Sequence, residues 1–261
     1  MNNILAAHLG SYYTYPIDDA LAGVAAAGFR FVELAGLPNS VTHAELSQLT
    51  ALLDHHGLRA ASLSGHSDLT TTEGLQSGKQ AVDLCDRLGI RIMNTAIGGS
   101  EAHEREDLAA FMSHIGDLAR HAAQRDVTIA LEVHGPIMAT GERSIPILQE
   151  IGQPNVRINY DTGNCTFYGG VRAEDDISYA VPFLAHVHLK DCGGGLGEWN
   201  FPPIGQGRVD FARVLGTLEA AGYGGPLSVE IEFYGLPWPP LEEVHRAMKS
   251  SYEHLRKLGL S

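Results

Sequence analysis

Short apolar runs rich in β-forming residues alternate along the chain with longer segments whose apolar residues recur with helical periodicity. This alternation is typical of βα units built around a parallel sheet. Eight apolar runs are predicted as strands, at residues 3–9, 29–35, 58–64, 90–96, 127–134, 156–161, 184–190 and 227–233. Helices are predicted at residues 17–27, 43–56, 73–88, 104–125, 143–151, 175–182, 210–221 and 240–258.

Glycines mark the boundary between several predicted helices and the strands that follow them. Gly28, Gly57 and Gly89 each stand directly before a strand, where a helix needs a residue with positive φ at its carboxyl end. Their recurrence indicates repeats of one βα unit.

Eight βα units at a mean spacing of about 30 residues predict an α/β fold, a single (β/α)8 TIM barrel with its functional site at the carboxyl ends of the strands. The barrel is expected to be the one domain of residues 1–261. A doubly wound open sheet is the competing architecture, and it usually carries a G-x-G-x-x-G turn after its first strand. Residues 8–12 contain no such turn. The glycine-rich segment 191–207 directly follows a predicted strand and is predicted to be a lid loop.

The charge balance excludes several partners. The 261 residues include 18 Lys and Arg against 31 Asp and Glu, a formal net charge of −13. Such a surface repels phosphate, so neither a nucleic acid nor a membrane is expected as a partner. The first residues lack a basic segment and no apolar run reaches the roughly 20 residues of a membrane span, so a cytoplasmic location is expected. The three cysteines form no C-x-x-C pair, which argues against a disulfide framework or a thiolate zinc site.

Ionisable side chains stand at the ends of the last four predicted strands. Glu132, Asp161, His188 and Glu230 come from four neighbouring strands, which a barrel brings together at its mouth. Three carboxylates this close repel one another unless a cation lies between them. Oxygen ligands with one nitrogen suit Mn²⁺ or Mg²⁺, with Co²⁺ or Zn²⁺ as alternatives. The sequence therefore predicts a divalent metal site, with Mn²⁺ preferred.

Each of these residues taken singly has a simpler explanation, because a lone Glu or His at a strand end is usually a surface residue or a satisfied polar residue. Four of them in register favour a shared ligand. Burying Glu132 at the end of the apolar run 128–131 costs several kcal/mol unless the carboxylate is paired or bound to a metal.

Four segments resemble the xylose-isomerase-like barrel superfamily in their order and spacing. They are L-E-V-H ending at His134, Y-D-T-G-N ending at Asn164, H-V-H-L-K-D ending at Asp191 and V-E-I-E ending at Glu232. The superfamily includes ketose 3-epimerases, hydroxypyruvate isomerases, inosose and dehydroshikimate dehydratases and DNA repair enzymes of the endonuclease IV type. The resemblance covers essentially the whole chain. It implies metal ligation by Glu132, Asp161, His188 and Glu230.

In the epimerase branch the resemblance further implies that Glu132 and Glu230 act as base and acid on opposite faces of the substrate. A cation chelated by a carbonyl oxygen and its neighbouring hydroxyl makes the α proton acidic, so that a carboxylate can remove it and leave a metal-stabilised enediolate. Reprotonation on the other face epimerises the carbon, and reprotonation at the adjacent carbon isomerises the sugar.

The expected function is therefore a metal-dependent isomerase or epimerase of a small sugar or related polyhydroxy carbonyl compound. Loss of a β-hydroxyl after the same first step would instead make the protein a lyase, a dehydratase of a keto-sugar or keto-cyclitol. The shared first step leaves both open.

Further residues near the predicted mouth are expected to contact a substrate. Strand alternation places His134 and His186 on the inward face. His66 follows the third strand and Arg208 follows the predicted lid, and a structural role is the other interpretation of each, for Arg208 the capping of the next helix. The expected substrate contacts are His66, His134, His186, Lys190, Trp199 and Arg208.

Two positions depart from the family pattern. Asn164 stands where many members have a histidine after the metal aspartate. Cys192 and the glycines after it stand where the ketose 3-epimerase branch usually has an arginine. The second departure weakens a standard ketose 3-epimerase assignment.

Other functions and properties follow from the same scaffold. Phosphodiester hydrolysis in DNA repair needs a basic groove and further metal ligands, but His66 is the one evident extra ligand and the net charge is −13. A sugar-binding barrel without turnover is the non-catalytic alternative. No glycine-rich phosphate cradle of the usual kind follows the last two strands, which favours an unphosphorylated carbohydrate. The superfamily often forms dimers or tetramers, so the resemblance allows a homo-oligomer, but the sequence itself does not specify the oligomeric state.

Overall fold

Eight parallel strands close into one barrel. The computed structural model describes residue 1 and residues 3–37, 41–98 and 108–260. The strands are β1 (Leu5–His8), β2 (Phe31–Leu34), β3 (Arg59–Ser64), β4 (Ile92–Thr95), β5 (Thr128–Glu132), β6 (Val156–Asp161), β7 (Leu184–Lys190) and β8 (Leu227–Glu230). They pair in chain order, and β1 also pairs with β8, with Leu5 opposite Leu227. This closure confirms the (β/α)8 prediction and excludes the open sheet.

Nine α-helices of the described residues accompany the barrel. They are α1 (Ile17–Ala27), α2 (His43–His55), α3 (Thr72–Leu88), α4 (Leu108–Ala123), α5 (Gly141–Ile151), α6 (Asn164–Gly169), α7 (Ala173–Ala180), α8 (Phe211–Ala220) and α9 (Leu241–Lys257). None of these described helices combines the length and the apolar character needed to cross a membrane. Of the predicted helix 104–125, residues 104–107 lie outside the described residues.

Local sequence explains where several helices begin and end. The Thr42 hydroxyl accepts a hydrogen bond from Glu45 N at 3.2 Å, and the Glu45 carboxylate accepts one from Thr42 N at 2.8 Å, which forms a capping box at the start of α2. Gly28, Gly57 and Gly89 have φ angles of +111°, +66° and +71°. These are the left-handed conformations predicted for them, which residues with a side chain rarely adopt.

The structure adds short helical segments that the periodicity does not predict. A 3-10 turn at Leu9–Tyr12 follows β1, and α6 follows β6 almost directly. Asp161 Oδ1 accepts hydrogen bonds from the backbone N–H groups of Gly163 and Asn164, both at 2.8 Å. The carboxylate thereby satisfies donors that are exposed at the start of a helix. Because α6 has only 6 residues, it is too short to show a periodic pattern.

The interior of the barrel differs from the layer around it. Apolar helix side chains such as Val24, Phe111 and Val244 are fully buried between the helices and the strands. Inside the barrel, Glu33 and Asn94 are buried and hydrogen-bonded to each other at 2.6 Å. Buried polar groups cost free energy unless they are paired. The barrel therefore holds a polar network near the carboxyl ends of its strands.

Candidate active site

The four predicted ligands converge at the mouth of the barrel. One ligand atom from each of Glu132, Asp161, His188 and Glu230 lies within 4.8 Å of the others, and all four residues are buried. His188 Nδ1 lies 3.6 Å from Glu132 Oε1, 3.7 Å from Asp161 Oδ2 and 3.3 Å from Glu230 Oε2. This geometry can hold one metal ion.

Strand pairing explains why these four side chains meet. In the register of β6 and β7, Asp161 lies opposite His188. Glu230 is the last residue of β8 and lies opposite Lys190, two residues beyond His188 on β7. Glu132 ends β5 on the other side of this group. The carboxyl ends of four neighbouring strands therefore bring together groups that are far apart in sequence.

Two oxygens in this cluster have no hydrogen-bond partner among the described residues. They are Asp161 Oδ2 and Glu230 Oε2, and both are buried. The other oxygen of Asp161 is used at the start of α6. A buried carboxylate oxygen without a partner is costly. Buried carboxylate oxygens that lack a hydrogen bond and lie near one imidazole nitrogen fit a divalent cation of the Mn²⁺ or Mg²⁺ kind.

The ionisation of the carboxylates agrees with this fit. Burial raises the pKa of Asp161 to about 6, and the nearby Lys190 offsets only part of that effect. Burial also acts to raise the pKa of Glu132, but hydrogen bonding to His188 contributes to holding it well below its usual value. Lys190 opposes burial in the same way at Glu230, whose pKa is also held well below the usual value. Glu132 and Glu230 are therefore ionised, and Lys190 and His188 balance part of their charge.

The opposite side of the His188 ring faces a buried carboxylate. His188 Nε2 lies 3.2 Å from Glu33 Oε1 and 3.1 Å from Glu33 Oε2. Glu33 also accepts a hydrogen bond from Asn94 Nδ2 at 2.6 Å. A metal-binding histidine commonly donates its second N–H to a carboxylate, which fixes the ring orientation. Glu33 therefore directs Nδ1 of His188 towards the carboxylate cluster.

His186 does not lie where a substrate contact was expected. Its side chain is fully buried below the cluster, where Nε2 lies 3.1 Å from Ser62 Oγ and 3.0 Å from Ser228 Oγ, and Nδ1 lies 3.0 Å from Asn159 Oδ1. The side chain points inward as predicted. It precedes His188 by two positions, however, so it sits one step deeper in the barrel. The structure therefore corrects this prediction, and His186 belongs to the supporting network.

A cavity of about 290 Å³ is lined by two of the four ligands, Glu132 and Glu230. Four of the expected substrate contacts line it, namely His66, His134, Lys190 and Trp199. His66 Nε2 lies 3.1 Å from Glu132 Oε2. His134 Nε2 lies 2.9 Å from the hydroxyl of Tyr168. Trp199 is about half exposed and packs edge-on against Phe201, which leaves part of its ring facing solvent.

Lys190 is a buried cation beside the cluster. Its Nζ lies 2.6 Å from Glu232 Oε2, 3.3 Å from Glu230 Oε2 and 3.6 Å from Asp161 Oδ2. It also lies 4.5 Å from the centre of the Phe201 ring. Burial acts to lower its pKa, but the surrounding carboxylates outweigh that effect and raise the pKa well above the usual value. Lys190 therefore remains charged.

Arg208 lies outside the mouth. Its side chain is exposed and lines a different cavity, which also contains Arg172 and Cys192. Arg208 N donates a hydrogen bond to the Cys192 carbonyl at 2.9 Å, and this bond joins the two ends of the loop between them. Asp210 caps α8 by accepting from Arg213 N at 3.1 Å. Both interpretations of Arg208, as a substrate contact and as a helix cap, are therefore corrected.

The carboxylate of Asp191 anchors the two ends of the segment 191–207. Asp191 accepts hydrogen bonds from the backbone N–H groups of Cys192 at 2.9 Å, Gly205 at 2.8 Å, Gly207 at 2.8 Å and Val209 at 3.2 Å. Between these anchors the segment carries Trp199 and Phe201 to the mouth cavity. Whether the segment opens and closes as a lid stays a prediction.

Several residues at the mouth were not assigned from the sequence. His8 ends β1, lines the cavity and is only 5% exposed. It carries the same signal as the four ligands, an ionisable residue at a strand end, but it belongs to the first strand and not to the last four. Asn164, Phe167 and Tyr168 also line the cavity. They come from α6, whose position no sequence pattern indicated.

Comparison with known proteins identifies the relatives of this chain. L-ribulose 3-epimerase of Methylomonas sp. (strain DH-1) is 29% identical over 229 residues, which cover 81% of this chain and 77% of that protein. L-ribulose-5-phosphate 3-epimerase UlaE of Escherichia coli (strain K12) is 24% identical over 202 residues, which cover 76% of this chain and 69% of that protein. These relatives are sugar epimerases, which supports an enzyme of the isomerase or epimerase kind.

The solved structures agree in fold. D-allulose 3-epimerase from Methylomonas sp. superposes with a TM-score of 0.76 at 23% identity, covering 98% of each chain. A family model described as a xylose isomerase-like TIM barrel matches residues 21–258. Because this match spans nearly the whole barrel, the chain belongs to the xylose isomerase-like TIM barrel family.

Proposed function

We propose that the protein is a divalent-metal-dependent epimerase of a small ketose and inverts the carbon next to the carbonyl group. The observation that carries this proposal is the cluster of Glu132, Asp161, His188 and Glu230, in which two buried oxygens lack a hydrogen bond and from which Glu132 and Glu230 line a small polar cavity. The sugar epimerases among its relatives support the same reaction class.

The four residues of the cluster would hold the metal ion, with His188 binding through Nδ1. Mn²⁺ is the proposed metal, since three carboxylates and one imidazole form a hard donor set, and Mg²⁺, Co²⁺ and Zn²⁺ are the alternatives. When bound, the cation supplies Lewis acidity that makes the proton α to a carbonyl easier to remove.

Glu132 and Glu230 would move that proton. They belong to β5 and β8, which are separated by β6 and β7, and so they approach the centre of the cluster from different sides. One carboxylate removes the α proton, and the other delivers a proton to the opposite face of the planar enediolate. Positioned carboxylates of this kind contribute about 10²–10⁴-fold to the rate of a proton transfer.

The cavity fits a small, unphosphorylated sugar. Its volume of about 290 Å³ is near the lower end of small-molecule sites, which span about 300–1,000 Å³. Among the described residues that line it, Lys190 is the only Lys or Arg, and it is already paired with Glu232. Among these described lining residues, a phosphate group would find no free fixed cation.

The walls of the cavity are of two kinds. Phe167, Trp199 and Phe201 form an aromatic side, and His66 and His134 contribute polar groups. Sugars present both apolar C–H surfaces and hydroxyl groups, so this mixture suits them. We further propose that the segment 191–207, which carries Trp199 and Phe201, closes over the bound sugar and excludes water.

The proposal is tested with protein loaded with Mn²⁺ and incubated in D₂O with L-ribulose, D-allulose, D-tagatose and L-ribulose 5-phosphate. The expected result is deuterium at the α carbon and formation of the C3 epimer of at least one free ketose, followed by NMR. The Glu132→Gln variant keeps the size of the side chain and should lose about 10²–10⁴-fold in kcat.

Three outcomes would contradict the proposal. No exchange with any free ketose, despite stoichiometric Mn²⁺, would reject the reaction. Formation of an enone or diketone chromophore would assign the protein to the lyases instead. Turnover of the phosphorylated sugar alone would reject the assignment of an unphosphorylated substrate.

A further inference from the structure

The two proposed catalytic glutamates, Glu132 and Glu230, each lie close to a different histidine. We infer that His66 and His8 are positioning residues, each holding the oxygen of one glutamate that faces away from the cluster, Glu132 and Glu230 respectively. The inference rests on the proposed function, because it assigns the two histidines to the two separate proton transfers of an epimerisation.

The first pair lies between the third and fifth strands. Glu132 Oε1 faces the cluster, 3.6 Å from His188 Nδ1, and accepts a hydrogen bond from Asn164 Nδ2 at 3.0 Å. Glu132 Oε2 points the other way and lies 3.1 Å from His66 Nε2. The carboxylate is thereby contacted at both oxygens, so its rotation is restricted.

The second pair has the same arrangement. Glu230 Oε2 faces the cluster, 3.3 Å from both His188 Nδ1 and Lys190 Nζ. Glu230 Oε1 points away from it and lies 3.3 Å from His8 Nδ1. Neither ring nitrogen of His8 has a hydrogen-bond partner within the part of the chain that the structure describes. The contact with Glu230 is therefore one of distance, and the hydrogen bond from Nδ1 to Oε1 is part of the inference.

The backbone makes room for the His8 ring. A Cβ atom on Gly10 would lie 2.5 Å from His8 Cε1, closer than carbon atoms approach one another. The absence of a side chain at Gly10 therefore lets the ring lie between the start of the 3-10 turn and Glu230. Barrel closure completes the arrangement, since it joins β1, which carries His8, to β8, which carries Glu230.

This arrangement divides the reaction into two halves. A carboxylate that is held at one oxygen keeps the reacting oxygen in place, and small displacements of a reacting group are costly. Loss of His66 should slow only the proton transfer of Glu132. Loss of His8 should slow only that of Glu230. A general loosening of the mouth would slow both.

The test uses matched pairs of variants, assayed at saturating Mn²⁺. His66→Leu and His8→Leu remove the donors, and we expect each to lower kcat/KM by about tenfold to 10²-fold. His66→Gln keeps a donor near the position of Nε2, and His8→Asn keeps one near the position of Nδ1, so both should recover most of that loss. His55→Leu, on the exposed surface of α2, is the control and should behave as the wild type.

Deuterium isotope effects distinguish the two histidines. Each epimer loses its α proton to a different glutamate, so a substrate labelled at that carbon reports on one transfer. In His8→Leu the isotope effect on kcat/KM should rise for the epimer deprotonated by Glu230 and fall towards 1 for the other epimer. In His66→Leu the two changes should be reversed.

Nitrogen-15 NMR gives a readout that needs no activity. The imidazole N–H signal of His66, identified by its loss in His66→Leu, should shift in Glu132→Gln but not in Glu230→Gln. The signal of His8, identified by its loss in His8→Leu, should shift in Glu230→Gln but not in Glu132→Gln. The inference would be overturned if the isotope effects of both epimers changed in the same direction in both leucine variants. It would also be overturned if neither N–H signal shifted in the glutamine variants. A wild-type protein that exchanges no ketose proton would overturn the proposed function and this inference together.

Discussion

Glu33 Oε2 lies 3.1 Å from His188 Nε2, on the side of the imidazole ring opposite to the carboxylate cluster. Burial acts to raise the pKa of Glu33, but His188 and His186 outweigh it and lower the pKa below the usual value. The carboxylate is therefore ionised and can accept the second N–H of His188. This relationship ties the second strand to the candidate metal site, although Glu33 does not face the cluster.

Glu33→Gln should weaken metal binding without unfolding the protein. The amide keeps the shape of the side chain but loses the charge that orients His188. Loss of such a supporting carboxylate typically costs about 10–100-fold in metal affinity. Isothermal titration with Mn²⁺ measures the effect, with Glu253→Gln on the exposed face of α9 as the control. An unchanged dissociation constant would show that Glu33 has no influence on the site.

Mn²⁺ should stabilise the protein against heat. A ligand at about 100 times its dissociation constant adds about 2.7 kcal/mol to the free energy of unfolding, and about 2–4 °C per kcal/mol is typical of chains this size. The expected rise in Tm over protein in EDTA is therefore about 5–10 °C. Asp161→Asn keeps the oxygen that can accept from α6 but loses a ligand charge, so its Tm should respond much less. Equal responses of both proteins would argue against a metal at this site.

Asp191→Asn should loosen the segment 191–207. One of the two oxygens that accept backbone hydrogen bonds becomes an amide NH₂ group, which places donors against donors. Leaving buried donors unsatisfied costs about 1–3 kcal/mol. Urea unfolding would measure the loss, and limited proteolysis would report faster cleavage between residues 191 and 207. A variant with wild-type stability and cleavage rate would show that Asp191 does not hold this segment.

Trp199→Ala should weaken sugar binding more than it slows the chemistry. The ring lines the cavity but does not belong to the cluster, so its contact with the sugar is the same before and during the reaction. An aromatic contact of this kind is worth about 0.5–1.5 kcal/mol, which corresponds to an increase in KM of about 2–13-fold with little change in kcat. Tyr234→Ala is the control, because Tyr234 is 73% exposed and does not line the cavity. A fall in kcat at constant KM would contradict the assignment.

Hydrophobic periodicity was sufficient to predict the barrel. All eight predicted strands are present, and β6 and β7 have the predicted bounds. These signals are local, since an apolar run and a following glycine specify a strand boundary without reference to the rest of the chain. The same locality made Glu132, Asp161, His188 and Glu230 recognisable as polar residues at strand ends. Their convergence followed from the architecture, and their role as ligands stays a proposal.

The tertiary structure alone determined how deep in the barrel a side chain lies and which cavity it faces. His186 and His188 share a face in the sequence pattern, but the barrel places one below the cluster and the other within it. Arg208 follows the loop in sequence, yet its backbone N–H donates to the Cys192 carbonyl and its side chain lines a different cavity. His8 meets Glu230 because the first strand pairs with the last. Periodicity specifies which face a side chain occupies, whereas only closure of the sheet and the path of the loops specify which groups lie at the same height.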